Sequence, residues 1–299
     1  MGTSTVEVSG VSKFFRGNAA VSDVSFCVQR GEILGMLGPN GAGKTTTIRM
    51  MMDIIKPDRG EIRVFGETAK EGIKDRVGYL PEERGLYRKI SVIESLVYLA
   101  ALKGVKANLA RDRATRLLER ADMLQHKDKK IQELSRGMGQ IIQSIATILH
   151  DPELVVLDEP FSGLDPINTE LLKEFILELR DQGKAVILST HMMNQIEELC
   201  DRALMINKGR IVLYGSLDEI KSKFRNNSVL LKCDTSPGEI PGVVDTRMRG
   251  KSLELFLDGR VSPQELLSIL VDRGIGVERF EVSTPSLNEI FIQVVKEER

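Results

Sequence analysis

The stretch "EILGMLGPNGAGKT", residues 32–45, decides the fold. Its first six residues form a short apolar run broken off by glycine, the pattern of a buried strand. The next eight fit G-x-x-x-x-G-K-[ST], and "TTTIRMMMDII" follows with Ile48, Met51, Met52 and Ile55 at helical spacing. Strand, glycine loop and helix in that order are the context a phosphate-binding loop requires. Glycines let the backbone bend until successive N–H groups point inward at phosphate oxygens. The helix starting near Gly43 aims the positive end of its dipole at the same anion. Gly38, Pro39, Asn40, Gly41, Ala42 and Gly43 therefore read as the cradle. Lys44 is placed to neutralise the β- and γ-phosphates, the Thr45 hydroxyl to ligate Mg²⁺, and Thr46 to add a hydroxyl contact further back on the phosphates.

A second apolar run, "LVVLDEP" at 154–160, ends in two carboxylates. In an open α/β sheet ligands gather at the C-terminal ends of the strands, so Asp158 reads as an Mg²⁺ ligand. Glu159 beside it reads as general base or water-orienting group for attack on the γ-phosphate. Taken alone, an acidic pair after a strand is an ordinary solvated turn. With the loop at 38–45 it points to nucleotide hydrolysis.

Around these motifs the pattern alternates between strands and helices from residue 1 to about 222. "AVILST" at 185–190 is another apolar strand, and Leu171, Leu172, Phe175, Ile176 and Leu179 share one face of a helix that stops at Gly183. Strands flanked by helices in this way imply a mostly parallel sheet covered on both faces. Residues 88–145 are helical throughout, with "VIESLVYLAALKG" and "ARDRATRLLERADML" as the clearest stretches, and read as a helical insertion. Beyond "KSKFRNNS" the pattern changes: "SVLLKCD" and "SLELFLDG" read as strands, "PQELLSILVDRG" as a helix, "VERFEV" as a strand and "SLNEIFIQVVKEE" as a helix. The expected architecture is an α/β ATPase domain over 1–224, with its helical insertion, and a small ββαβα accessory domain over 225–299.

Composition narrows the functional class. Lys and Arg total 42 against 43 Asp and Glu, a net charge of −1 that argues against broad attraction to nucleic acid. Cys27, Cys200 and Cys233 have neither metal-ligand spacing nor an obvious disulfide pattern, as expected of a reduced intracellular protein. The N-terminus "MGTSTVEVSG" lacks a signal-peptide pattern and matches a myristoylation pattern only weakly, with Val6 where Ser or Thr is wanted. No apolar run reaches the roughly 18–20 residues needed to span a bilayer, so any membrane role is expected to come through a partner.

The ordered set "GPNGAGKTT", "ELSRGMGQ", "LVVLDEP", "SGLD" and "STH" resembles the ATP-binding subunit of ABC transporters over residues 6 to about 220. The ending "STPSLNEIFI" resembles the last helix of a C-terminal accessory domain found in exporter-type members. The resemblance implies an ATPase that binds ATP and Mg²⁺ and energises a separate integral membrane permease. It also implies a second ATPase subunit, joined head to tail, and a peripheral position on the cytoplasmic face of the membrane. Under it, Ser135 and Gly137 of "LSRGM" match positions that touch the γ-phosphate bound by the other subunit. Phe15 matches the residue that stacks on adenine, with Phe14 as the alternative. His191 matches the histidine that bonds the γ-phosphate and holds Glu159, and Asp165 the loop that couples the two sites. Three positions depart from the usual pattern: Glu82 stands where a glutamine senses Mg²⁺ and meets the permease, Arg136 replaces a glycine, and Met138 replaces a glutamine.

Two other classes of function fit less well. An ATPase acting on ribosomes or DNA would carry two ATPase units or a long coiled-coil insertion, and this chain shows one unit and no heptad run. A non-catalytic regulatory subunit is disfavoured by the intact set Lys44, Asp158, Glu159 and His191.

Overall fold

Strands buried on both faces must be apolar along their whole length, and Ile33–Leu37, Leu154–Asp158 and Ala185–Thr190 are completely buried. The computed structural model describes residues 4–68, 71–83, 85–224, 227–235 and 237–297. Gly2, Arg84 and residue 225 at the expected domain start lie outside the described residues.

The chain runs β1 (Val6–Phe15), β2 (Asn18–Val28), β3 (Ile33–Leu37), α1 (Lys44–Met51), β4 (Arg59–Val64), β5 (Glu67–Thr68) and β6 (Val77–Leu80). Three helices follow, α2 (Val92–Ala101), α3 (Ala107–Arg120) and α4 (Arg136–Ile148). Then come β7 (Leu154–Asp158), α5 (Pro166–Asp181), β8 (Ala185–Thr190), α6 (Met193–Leu199), β9 (Arg202–Asn207), β10 (Arg210–Ser216) and α7 (Leu217–Lys223). The remainder is β11 (Ser228–Cys233), β12 (Val243–Arg249), β13 (Ser252–Leu257), α8 (Pro263–Asp272), β14 (Val277–Val282) and α9 (Leu287–Glu297).

A six-stranded sheet in the order β10-β9-β3-β8-β7-β6 is parallel except for β10. The helical insertion α2–α4 is the crossover between the parallel neighbours β6 and β7. It has its own core, built around Leu96, Ala114, Leu118, Ile141 and Ile145. Ser91 opens it with a capping box to Glu94.

A second sheet, β2-β1-β4-β5, is antiparallel and departs from the strand–helix alternation expected over this region. Its register shifts break the period-two pattern: β1 carries three irregularities against β2 and one against β4. Both sheets share one core with α1, in which Val6, Phe26, Met36, Ile48 and Ile187 all take part. The helix expected to run past Ile55 stops at Met51, and Asp53 adopts a left-handed backbone at φ 55°.

The chain divides into two compact units, Met1–Leu217 and Asp218–Arg299. The division falls at the start of α7, whereas the sequence pattern shifts only where that helix ends. Among its described residues the second unit is an antiparallel sheet in the order β12-β13-β11-β14 with the helices α7, α8 and α9. After α7 its topology is βββαβα rather than the expected ββαβα, because Val243–Arg249 forms an additional edge strand. That strand is mostly exposed, so nothing in its residues alternates between apolar and polar. Leu231, Leu255, Leu257, Leu266 and Leu270 form the core of this unit. Among the described residues no helix is long and apolar enough to cross a membrane.

Candidate active site

Strand register brings the chemistry together. Leu37, the last residue of β3, pairs with Thr190 at the end of β8, and Asp158, the last residue of β7, pairs with Ser189. The phosphate loop, the acidic pair and the "STH" segment therefore meet at one edge of the sheet, where ligands bind in this architecture.

A cleft of about 360 Å³ lies there, lined by Ala20, residues 40–46, Glu82, Asp158 and Glu159. Gly38 shapes the entry to the loop, since a Cβ on it would stand 2.3 Å from the Ile206 carbonyl oxygen. Lys44 is buried and donates to the carbonyl oxygens of Gly38 at 2.7 Å and Pro39 at 3.3 Å. Burial pulls its pKa below the ordinary lysine value, and the carboxylates of Glu159, Asp158 and Glu82 oppose that shift.

Asp158 is 0% exposed, and among the described residues neither of its carboxylate oxygens makes a well-formed hydrogen bond, although the Ser189 and Thr45 hydroxyls lie close enough to influence it. Burial raises its pKa above the usual carboxylate value, while the nearby hydroxyls of Ser189 and Thr45 act in the opposite direction. The Ser189 hydroxyl is equally buried and unpartnered. Tyr79 senses the same field: burial, then the charge of Asp158, pushes its phenol up to about 12. Unsatisfied buried carboxylate oxygens are rare because they cost free energy, and these two sit beside the loop that starts α1. Oxygen donors of this kind are what a hard divalent cation takes, so the residues present fit Mg²⁺, with Asp158 and Thr45 as its holders. Among the described residues no cluster of three or more His, Cys, Asp or Glu side chains forms a separate metal site.

Glu159 has a left-handed backbone, φ 50°, and its amide donates to the Ser189 carbonyl oxygen at 2.9 Å. Its side chain is held from two directions. His191 Nδ1 lies 2.9 Å from Oε1, and the Thr190 hydroxyl lies 3.3 Å from Oε2. That hydroxyl has one proton to share between Glu159 and Gln195 Oε1 at 3.2 Å, and it accepts from the Met192 amide at 3.1 Å. Sequence alone assigns no role to Thr190, although it lies within "STH", or to Gln195, a lone glutamine in a helix. Gln140 was missed for the same reason. Buried in α4, it donates to the Pro160 carbonyl oxygen at 2.9 Å and ties the helix to the segment after the acidic pair.

The other expected site residues lie apart from the cleft within one chain. Ser135 caps α4, accepting from the Met138 amide at 3.2 Å, and Gly137 follows in the first turn. They reach the surface beside a different hollow, lined by Leu86, Leu134 and Ser135. Asp165 caps α5, accepting from the Asn168 amide at 3.0 Å, with Pro166 at the first helical position. Phe15 ends β1 with 48% of its surface exposed and the Lys13 ammonium 5.7 Å from its ring centre. Phe14 is also exposed, so neither ring belongs to the core.

Known proteins share this sequence and fold over most of the chain. Residues 21–162 match the family described as ABC transporter, and residues 215–295 match the one described as ATP-binding protein DrrA1-3-like, C-terminal domain. The chain is similar to YhaQ of Bacillus subtilis (strain 168), an uncharacterized ABC transporter ATP-binding protein. The two are 38% identical over 291 residues, covering 96% of this chain and 97% of the relative. Among solved structures it resembles an ATP binding subunit of an ABC transporter, with 32% identity, 74% of this chain and 93% of that one covered, and a TM-score of 0.69. A dimeric, post-hydrolysis structure of the ATP-binding cassette MJ0796 bound to ADP and Pi shares the fold. There identity is 21%, coverage 71% of this chain and 98% of that one, and the TM-score 0.65.

Proposed function

The chain belongs to the ABC transporter ATP-binding proteins, and from that premise we propose that two copies close head to tail around ATP and drive export through a separate membrane permease. Binding ATP with Mg²⁺ and hydrolysing it is the activity of the family and of this chain.

The observation that carries the reading is Asp158, whose two buried oxygens make no well-formed hydrogen bond among the described residues and lie by the phosphate loop. When bound, Mg²⁺ neutralises phosphate charge and polarises the phosphorus that water attacks. Lys44 offsets charge on the β- and γ-phosphates, and the loop amides fix their position. Glu159 orients the attacking water and accepts its proton, while His191 and Thr190 hold the carboxylate in place. Glu82 lines the same cleft and offers an oxygen toward the metal or its water. Phe15, exposed at the end of β1, supplies a face for adenine.

Ser135 and Gly137 lie outside their own chain's cleft, which is what a site completed by a second copy requires. In this arrangement they meet the γ-phosphate held by the other copy, and Asp165 links the two sites. Closure is a population shift driven by nucleotide contacts made only in the closed state.

The permease is supported by an apolar groove of about 430 Å³, lined by Ile54, Tyr79, Leu86, Leu99, Leu102 and His150 among others. Ile54 and Leu102 are more than half exposed there, as expected of a surface that a partner covers. Docking at this groove holds the chain on the cytoplasmic face of the membrane. The export direction rests on the resemblance of the C-terminal region to the accessory domain of exporter-type members, and the match at 215–295 supports that such a domain is present. Nucleic acid is not an expected partner at a net charge of −1.

Light scattering on Glu159→Gln, with and without MgATP, tests the closure. An ATP-dependent shift from monomer to dimer supports it. A chain that binds ATP and stays monomeric overturns closure of two identical copies.

A further inference from the structure

The phosphate cleft is short of positive charge. Among the described residues lining it, Lys44 is the one cation and Glu82, Asp158 and Glu159 are three carboxylates. All three act on the Lys44 ammonium. Asp158 has the metal to offset it, and Glu159 has His191 at 2.9 Å. Glu82 is exposed, and among the described residues it makes no hydrogen bond or ion pair. One lysine and one divalent cation thus face three carboxylates and a polyphosphate, so a further cation beside Glu82 would relieve the repulsion.

Arg136 is the converse case. It is exposed, and among the described residues its guanidinium makes no hydrogen bond or ion pair. Its side chain is nonetheless laid down in one place: Nε stands 3.1 Å from where a Cβ on Gly163 would be, so the arginine packs flat over that glycine. It occupies the first position of α4, directly after Ser135, and the first turn of that helix has no acidic residue. A cation there opposes the helix dipole, so helix stability does not explain it.

We infer that Arg136 is contributed by each copy to the other copy's phosphate cleft, where it offsets the carboxylate of Glu82 beside the nucleotide's terminal phosphate. The inference rests on the head-to-tail reading, which puts Ser135 and its neighbour Arg136 opposite the partner's loop. A planar guanidinium suits carboxylate oxygens because it offers parallel N–H donors. It also makes closure depend on nucleotide in a particular way. Without phosphate Glu82 and Arg136 are each solvated in the open state, and both gain partners only when the copies meet.

The test is a double-mutant cycle in the Glu159→Gln background, reading by light scattering the MgATP concentration that half-converts monomer to dimer. Arg136→Gln is expected to raise that concentration at least tenfold, or about 1.4 kcal/mol. With Glu82→Gln added, the rise should fall below threefold, because the carboxylate that needed offsetting is gone. Arg136→Lys keeps the charge but loses the paired donors, so its rise should be smaller than that of Arg136→Gln. Nucleotide-free melting of each variant confirms that it is folded. A change of less than twofold in Arg136→Gln overturns the inference. So does an equal rise with and without Glu82→Gln, which reduces Arg136 to a clasp on Gly163. If the parent Glu159→Gln stays monomeric in MgATP, the head-to-tail reading itself fails, before any arginine variant is compared.

Discussion

His191 Nδ1 and Glu159 Oε1 lie 2.9 Å apart, bridging the segments that follow β8 and β7. The histidine side chain is 56% exposed while the glutamate side chain is only 12% exposed, so the ring reaches inward to an already sheltered carboxylate. Removing the ring leaves Glu159 held by the Thr190 hydroxyl alone at 3.3 Å. His191→Ala should lower single-turnover hydrolysis by about 10²-fold, within the range for a misplaced base, with equilibrium ATP binding changed far less. Equal losses in binding and turnover would argue against a positioning role.

Asp158 makes the opposite kind of prediction, a gain in stability from a loss of function. Its pKa is raised in the fold, so as pH rises above the unfolded value of 3.8 the folded chain keeps its proton longer than the unfolded chain does. Stability therefore falls as pH climbs through the folded pKa, and at neutral pH the buried charge is a net cost. Asp158→Asn removes that charge. The nucleotide-free variant should melt about 5 °C higher at neutral pH, from ~1–3 kcal/mol of relieved desolvation, and should lose Mg²⁺-dependent hydrolysis. Calorimetry at neutral pH and near pH 4 separates the two effects, since the gain should shrink in acid.

Two glycines of the phosphate loop should respond very differently to alanine. At Gly38 the new Cβ would lie 2.3 Å from the Ile206 carbonyl oxygen, so β3 and β9 must separate or the loop must move. The expected cost is roughly 4 kcal/mol or more, with loss of nucleotide binding. At Gly41 nothing lies within 4 Å of a Cβ, and only the left-handed backbone at φ 77° resists it. That costs about 1–2 kcal/mol. Urea denaturation of both variants checks the ranking.

His150 supplies a pH signature. Burial, then the ammonium of Lys103, pushes its pKa down to about 4 from 6.5. Its ring stays neutral and donates from Nε2 to the Val77 carbonyl oxygen at 3.2 Å. As pH falls below 6.5 the unfolded chain takes up a proton that the folded chain refuses until about 4, so stability is lost across that window. His150→Gln keeps a donor for Val77 and has no proton to gain. Its melting midpoint should decline less than that of the native chain between pH 6.5 and about 4. An unchanged decline would place the acid sensitivity elsewhere.

The legible parts of this molecule are those where one physical demand governs a whole segment. β7 and β8 are buried on both faces and so read as unbroken apolar runs, and the glycine spacing of residues 38–45 admits few other backbone paths. Competing demands hide the rest. In β1, Val6, Val8 and Val11 point inward, but the register shift between Val8 and Val11 breaks the alternation. Nothing in "LDEP" announces that Glu159 turns left-handed at φ 50°, since the surrounding structure imposes that conformation. The bonds from Gln140 to Pro160 and from Thr190 to Glu159 join residues 20 and 31 positions apart, and only the finished sheet brings them together.

Strand β12 was invisible in the sequence because of its polar residues, and those residues give it a protective property. As the outer strand of its sheet it presents unpaired backbone to solvent, the feature from which runaway strand addition and aggregation begin. Asp245 answers this twice: Oδ1 accepts from the Thr246 amide at 2.8 Å, and Oδ2 pairs with Arg247 Nε at 2.9 Å. The edge is therefore partly capped by its own side chains and lined with charge. The second unit can thus keep an open sheet edge that is a poor template for its neighbours.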